Sequence, residues 1–208
     1  MPMMKLQEVA SIVETLESSN PIDALGLVKS VERESRREFG ARNIEFYSRP
    51  KFISSMVNVG KKYIADEIIL EYIVRIIKTI SERCPVDIQE NQKVSVIHDP
   101  RTLCIYEFLF GLKYSTNKKI RMLVAHTIPF FPQFDEYEKR WEYILAIPKI
   151  APKDDSMRRF RWIIEQRIAE VPDELKGVVI DMFQKFLDTH RLDIDTRQRY
   201  VDLIEKLS

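Results

Sequence analysis

The sequence predicts an all-α fold, an antiparallel array of helices. Three observations carry that reading. Almost every segment places apolar residues at i, i+3 and i+4 spacing. The 10 prolines fall mostly between those segments, as punctuation. The connections are short, which favours antiparallel neighbours. A chain of 208 residues with 45% hydrophobic and 31% charged content can bury a sizeable core as one helical domain, residues 1–208.

The elements follow in order. Residues 5–18 set Leu6, Val9, Ile12, Val13 and Leu16 on one face. The next segment has Asn20 as its cap, Pro21 at the first helical position and Gly40 past its end, the expected order of start and stop signals. Its far part reads as a solvated charged face, with Glu32 and Arg36 spaced for an i,i+4 ion pair. Residues 50–60 predict a shorter helix. Residues 62–82 predict the strongest, with Ile64, Ile68, Tyr72, Ile76 and Ile80 in one row and Ile69, Ile73 and Ile77 beside it. So wide a stripe predicts a central helix.

Residues 84–99 break the pattern. They hold Pro85 and a polar middle, and "KVSVI" alternates polar and apolar residues. A lone strand cannot satisfy its own backbone, so a loop is expected between irregular N-terminal helices (1–83) and a second part (100–208). There, helices are expected near 100–112, from Asn117, and near 134–147, 155–170, 172–189 and 195–207.

This second part repeats. "NKKIRMLVAHTI" begins at Asn117, "DSMRRFRWIIEQRI" at Asp155 and "DTRQRYVDLIEKL" at Asp195. Each opens on a capping Asp or Asn and carries Arg four residues later: Arg121, Arg159 and Arg199. An Arg one turn into a helix can reach the acidic cap of an adjacent unit, which predicts a ladder of such bonds. Pro129 should end the Asn117 helix, leaving Phe130, Phe131 or Phe134 to pack on the next unit.

A period near 40 with two helices per unit resembles the HEAT-repeat family, whose second helix typically begins Asp-x-x-Val-Arg. Asn117 to Arg121, with Ile120 in the Val position and Val124 and Ile128 following, matches best. "PKIAPKDDSMRRFRWIIEQRI" is similar to units of the HEAT scaffold subunits of type-2A protein phosphatases. Arg158 and Gln198 depart from the apolar residue expected before Arg, and Arg161 is an alternative equivalent. The resemblance covers residues 100–208. It implies a short HEAT/armadillo-like α-solenoid.

Chemistry is sparse. No glycine-rich phosphate loop, nucleophile elbow or paired-histidine zinc motif occurs. His98, His126 and His190 are dispersed, and no metal or cofactor site is expected. Cys84 and Cys104 have no CxxC partner, which suits a reducing compartment, cytoplasmic or nuclear. The N-terminus has no secretory h-region, and the most apolar run is too charged to span a bilayer. A net charge of +1 argues against wrapping nucleic acid or lying on a membrane.

A non-catalytic scaffold or adaptor is therefore expected, a subunit that binds a partner protein on its helical-repeat surface. Its expected contacts are Lys118, Lys119, Met122, Arg158 and Arg161. Two alternatives are nucleic-acid contact through the basic-aromatic cluster Arg158–Trp162, and a HEAT-like DNA base glycosylase using Asp135, Trp141 and Trp162. Trp162 itself is expected in the core, as are Tyr137, Trp141 and Ile144.

Overall fold

The apolar stripes fold as helices in a computed structural model that describes residues 5–37, 44–83, 85–89, 92–95, 103–150 and 154–208. The helices are α1 (Leu6–Ser18), α2 (Ala24–Arg37), α3 (Ile44–Tyr47), α4 (Pro50–Lys62), α5 (Glu67–Arg83), α6 (Leu103–Gly111), α7 (Lys118–Ala125), α8 (Arg140–Ile150), α9 (Asp154–Gln166), α10 (Asp173–Thr189) and α11 (Ile194–Leu207). Strands β1 (Pro85–Gln89) and β2 (Gln92–Ser95) pair antiparallel. The segment expected to be a loop thus holds a hairpin. The alternating residues find the partner a single strand lacks in the stretch just before them. The chain divides into two compact units, Met1–Glu138 and Lys139–Ser208.

In the first unit, helix packs on helix in two rows. One row is α1 on α4 and α4 on α6, and the other is α2 on α5 and α5 on α7. Within pairs, α1 contacts α2 and α4 contacts α5. Polar contacts give the directions. Asn58 on α4 donates to Glu17 at 2.7 Å, and Lys62 Nζ donates to the Leu16 carbonyl at 3.0 Å, so late residues of α1 meet late residues of α4. Thr116 and Asn117, at the start of α7, donate to Glu67 at the start of α5 at 3.3 and 3.2 Å. The neighbours α1 and α4, and α5 and α7, therefore run parallel.

The core of this unit is mainly aliphatic, with Tyr47, Phe131 and Phe134 also buried. Val9, Val13, Leu16, Val28, Val31, Ile53, Met56, Ile73, Ile76, Ile77 and Ile80 are buried. The predicted stripe of α5 needs one correction. Ile64 and Ile68 are exposed and Tyr72 is only half-buried, because Ile64 lies in the turn between α4 and α5 while Ile68 and Tyr72 lie on the face of α5 opposite its buried residues. The start of α2 also differs. Asp23, not Asn20, accepts from the Gly26 N–H at 2.8 Å, and α2 begins at Ala24. Gly40 lies outside the described residues.

In the second unit α8 packs on α9 and α10 on α11. Phe160 on α9 meets Phe183 on α10 at 5.4 Å between ring centroids, and Phe183 meets Tyr200 on α11 at 5.3 Å. The helix expected at 134–147 runs instead from Arg140 to Ile150. A 3₁₀ turn, Pro132–Glu136, precedes it. Tyr137 falls outside the helix, and Trp141 is only half-buried, while Tyr143 and Ile144 enter the core.

A 40-residue spacing recurs in local structure, in a register different from that of the Asp/Asn caps. Ile120, Phe160 and Tyr200 stand 40 residues apart and are all fully buried. A 3₁₀ turn follows α7 at Ile128–Phe130 and another follows α9 at Ile168–Glu170, again 40 residues on. Each is followed by a buried residue, Phe131 or Val171, and then by Pro132 or Pro172. Pro129 sits inside the first turn, after α7 has ended at Ala125. Phe131 turns back to Tyr106 of α6, at 5.7 Å between ring centroids.

The Arg ladder takes a different form. Asn117 caps α7, accepting from the Lys119 and Ile120 N–H groups at 3.0 and 3.3 Å. Its Arg121 donates to the Ser115 carbonyl at 2.6 Å. The cap of α11 is Asp193 rather than Asp195, accepting from Thr196 N–H at 2.8 Å. Arg197, four residues on, donates to the Leu187 carbonyl at 3.1 Å, near the end of α10. Both arginines bind a carbonyl of the segment just before their own helix, Ser115 in the loop after α6 and Leu187 in the last turn of α10, where acceptors are left unpaired. Arg199 is exposed.

Candidate partner-binding surface

The outer faces of α2, α5 and α7 join into one strip in the first unit. On α2, burial of Val28, Val31 and Ser35 turns Lys29, Arg33 and Arg36 outward. On α5, burial of Ile69, Ile73, Ile76 and Ile80 leaves Ile68, Tyr72 and Arg75 on the opposite face. On α7, burial of Ile120 and Val124 leaves Lys118, Lys119 and Met122 outward. Two contacts stitch the strip together. Lys29 Nζ lies over the Tyr72 ring, 5.5 Å from its centroid, and Lys119 Nζ lies 3.6 Å from Glu71 Oε2.

The charges are layered. The side chains of Glu32, Glu34 and Glu71 are 4%, 5% and 12% exposed. Their cations stand outside them: Arg36 on Glu32 at 2.8 Å, Arg33 on Glu34 at 3.6 Å, and Arg75 and Lys119 on Glu71. Those four side chains are 34% to 67% exposed. Burial of the carboxylates alone would be costly, and pairing offsets that cost. The consequence at the surface is a positive skin over a hidden negative layer. The expected face of Glu32 and Arg36 is thus solvated only on its basic side. Glu67, exposed at one end of the strip, is held by Thr116 and Asn117.

Of the residues the sequence singles out, Lys118, Lys119 and Met122 therefore lie on this strip. Arg158 and Arg161 belong to the second unit. Arg158 is exposed and paired with Asp155 on its own helix. Arg161 is largely covered, donates to Glu165 at 2.8 Å and lies over the Tyr200 ring at 5.6 Å. Arg161 thus packs on the α11 core residue Tyr200. Trp162 is 41% exposed rather than core. Phe160 takes the inward position, and Arg159 covers the indole face at 4.7 Å. Lys29, Arg33, Arg36, Tyr72 and Arg75 were not anticipated, although Lys29, Arg33 and Arg36 are spaced along one helical face.

His126 is buried, and His190 ends α10 with its ring stacked on Phe186 at 4.2 Å. His98 and Cys84 lie outside the described residues. Among the described residues no three His, Cys, Asp or Glu side chains gather as metal ligands, and no helix is long and apolar enough to cross a membrane. A shallow cleft of about 210 Å³ between α1, α3 and α4 is lined by Val13, Glu14, Phe46 and Arg49 among others. Comparison with protein-family models, with curated proteins and with solved structures finds no match to this chain.

Proposed function

We propose that the protein is a non-catalytic scaffold, a short α-solenoid of the HEAT/armadillo kind that holds a partner protein along its row of second helices. One observation carries this reading: α2, α5 and α7 pack successively, α5 and α7 run parallel, and the outer faces of the three join into one strip. A stack of helix pairs offers an extended surface that a partner can engage over several units at once. The 40-residue recurrence of Ile120, Phe160 and Tyr200 supports the same architecture. A reducing compartment, cytoplasm or nucleus, belongs to this reading, since Cys104 is a free thiol.

The test is co-purification of the tagged chain with and without Lys118→Glu/Lys119→Glu. The reading expects the variant to remain folded, its unfolding midpoint lowered slightly by the carboxylate placed beside Glu71, and to lose the protein that co-purifies with the wild type. A partner retained in full by the variant would contradict it.

A further inference from the structure

We infer that the strip formed by α2, α5 and α7 binds an acidic, extended segment of a partner protein. This rests on the scaffold reading above and names the chemistry of what the scaffold holds. The ground is charge complementarity. Lys29, Arg33, Arg36, Arg75, Lys118 and Lys119 form the outer layer of three successive helices, and the carboxylates that orient them lie beneath.

The layering does two things. It fixes the cations, so that less side-chain freedom is lost when a ligand arrives. It also leaves donor capacity toward solvent, since a guanidinium has five N–H donors and an ammonium three. Glu71 illustrates this. It takes one bond from Arg75 and a looser contact from Lys119 at 3.6 Å, so Lys119 can turn outward at small cost. Carboxylates spaced along an extended chain would meet cations from each helix in turn.

The same geometry disfavours nucleic acid. Single-strand binders stack bases on open aromatic faces, whereas Tyr72 is flanked by Lys29 at 5.5 Å and Arg75 at 5.4 Å. Ile68 and Met122, outward on the same strip, give an acidic segment apolar anchors between its charges.

The experiment titrates the full chain with a labelled Glu-rich peptide carrying interspersed leucines, at low and at physiological salt. Lys29→Glu/Lys119→Glu should weaken binding about tenfold or more. Lys51→Glu/Lys61→Glu, the same double reversal at exposed sites on α4, should change it less than about twofold if position rather than net charge decides. Circular dichroism confirms that each variant is folded. Three results would overturn the inference: no binding of the peptide by the wild type, equal weakening by Lys51→Glu/Lys61→Glu, or tighter binding of oligothymidylate than of the peptide. If a partner still co-purifies through Lys118 and Lys119 while the peptide fails, the acidic-ligand inference falls and the scaffold reading stands. If the Lys118→Glu/Lys119→Glu variant keeps its partner, the scaffold reading is the one that falls.

Discussion

Gly60 on α4 faces the ring of Phe108 on α6 with no room for a side chain. A methyl group on Gly60 would lie 3.0 and 3.1 Å from Cε2 and Cε1 of that ring and would collide with its tip. Helix α6 seats on α4 through this contact. Gly60→Val should therefore destabilise the chain by about 1–3 kcal/mol through overpacking, measured by denaturant unfolding. Phe108→Leu in the same chain should recover part of the loss, as residues in direct contact couple. Simple additivity would show that the two helices do not meet there.

The recurring buried position makes a second prediction. Ile120→Ala should cost about 2–5 kcal/mol and Phe160→Ala about 3–5 kcal/mol, since both side chains are fully enclosed. Trp162→Ala should cost clearly less, because the indole is partly in solvent. Equal losses at Phe160 and Trp162 would contradict the inward register of α9.

The cap of α7 gives a third. Asn117 accepts from two N–H groups and also donates to Glu67 on α5. Asn117→Ala should destabilise by about 1 kcal/mol, with Asn117→Asp restoring the cap but not the donor to Glu67. A protein indifferent to Asn117→Ala would show that α7 starts elsewhere.

Acid stability follows from Glu17. Hydrogen bonds from Ser55 and then Asn58 hold its carboxyl below the usual range, with burial opposing and Lys51 assisting. A folded-state value below the unfolded one means that the stabilisation is present above about pH 4.3, the ordinary Glu value, and is lost as pH falls through the folded value. Thermal midpoints should decline on that acid side. Glu17→Gln should flatten part of the decline while leaving the midpoint at pH 7 lower than that of the wild type.

Much of this fold was legible because helical spacing is a local signal. The stripes of α1, α4, α10 and α11 lie close to where apolar periodicity puts them. What escaped was of two kinds. Turn chemistry moved boundaries: Pro132 opens a 3₁₀ turn, so α8 starts at Arg140, and Asp193 outcompetes Asp195 as a cap because its side chain reaches Thr196 N–H. A better repeat signal was present in "IPFFP" and "IAEVP", Ile128–Pro132 and Ile168–Pro172, which stand 40 residues apart. The other kind is non-local. Lys118, Lys119 and Met122 could be placed on the outer face of α7 from spacing alone. That Lys119 meets Glu71, and that Lys29 meets Tyr72, depends on how α2, α5 and α7 stack, and no single helix encodes that.

The most direct measurement is photo-crosslinking from two positions. A photoreactive amino acid at Met122 samples the second-helix strip, and the same group at Lys61 samples the row of first helices. The expected result is a discrete protein adduct from position 122 that is absent from position 61. Adducts of equal yield from both positions, or an adduct from position 61 alone, would contradict a partner held on the strip formed by α2, α5 and α7.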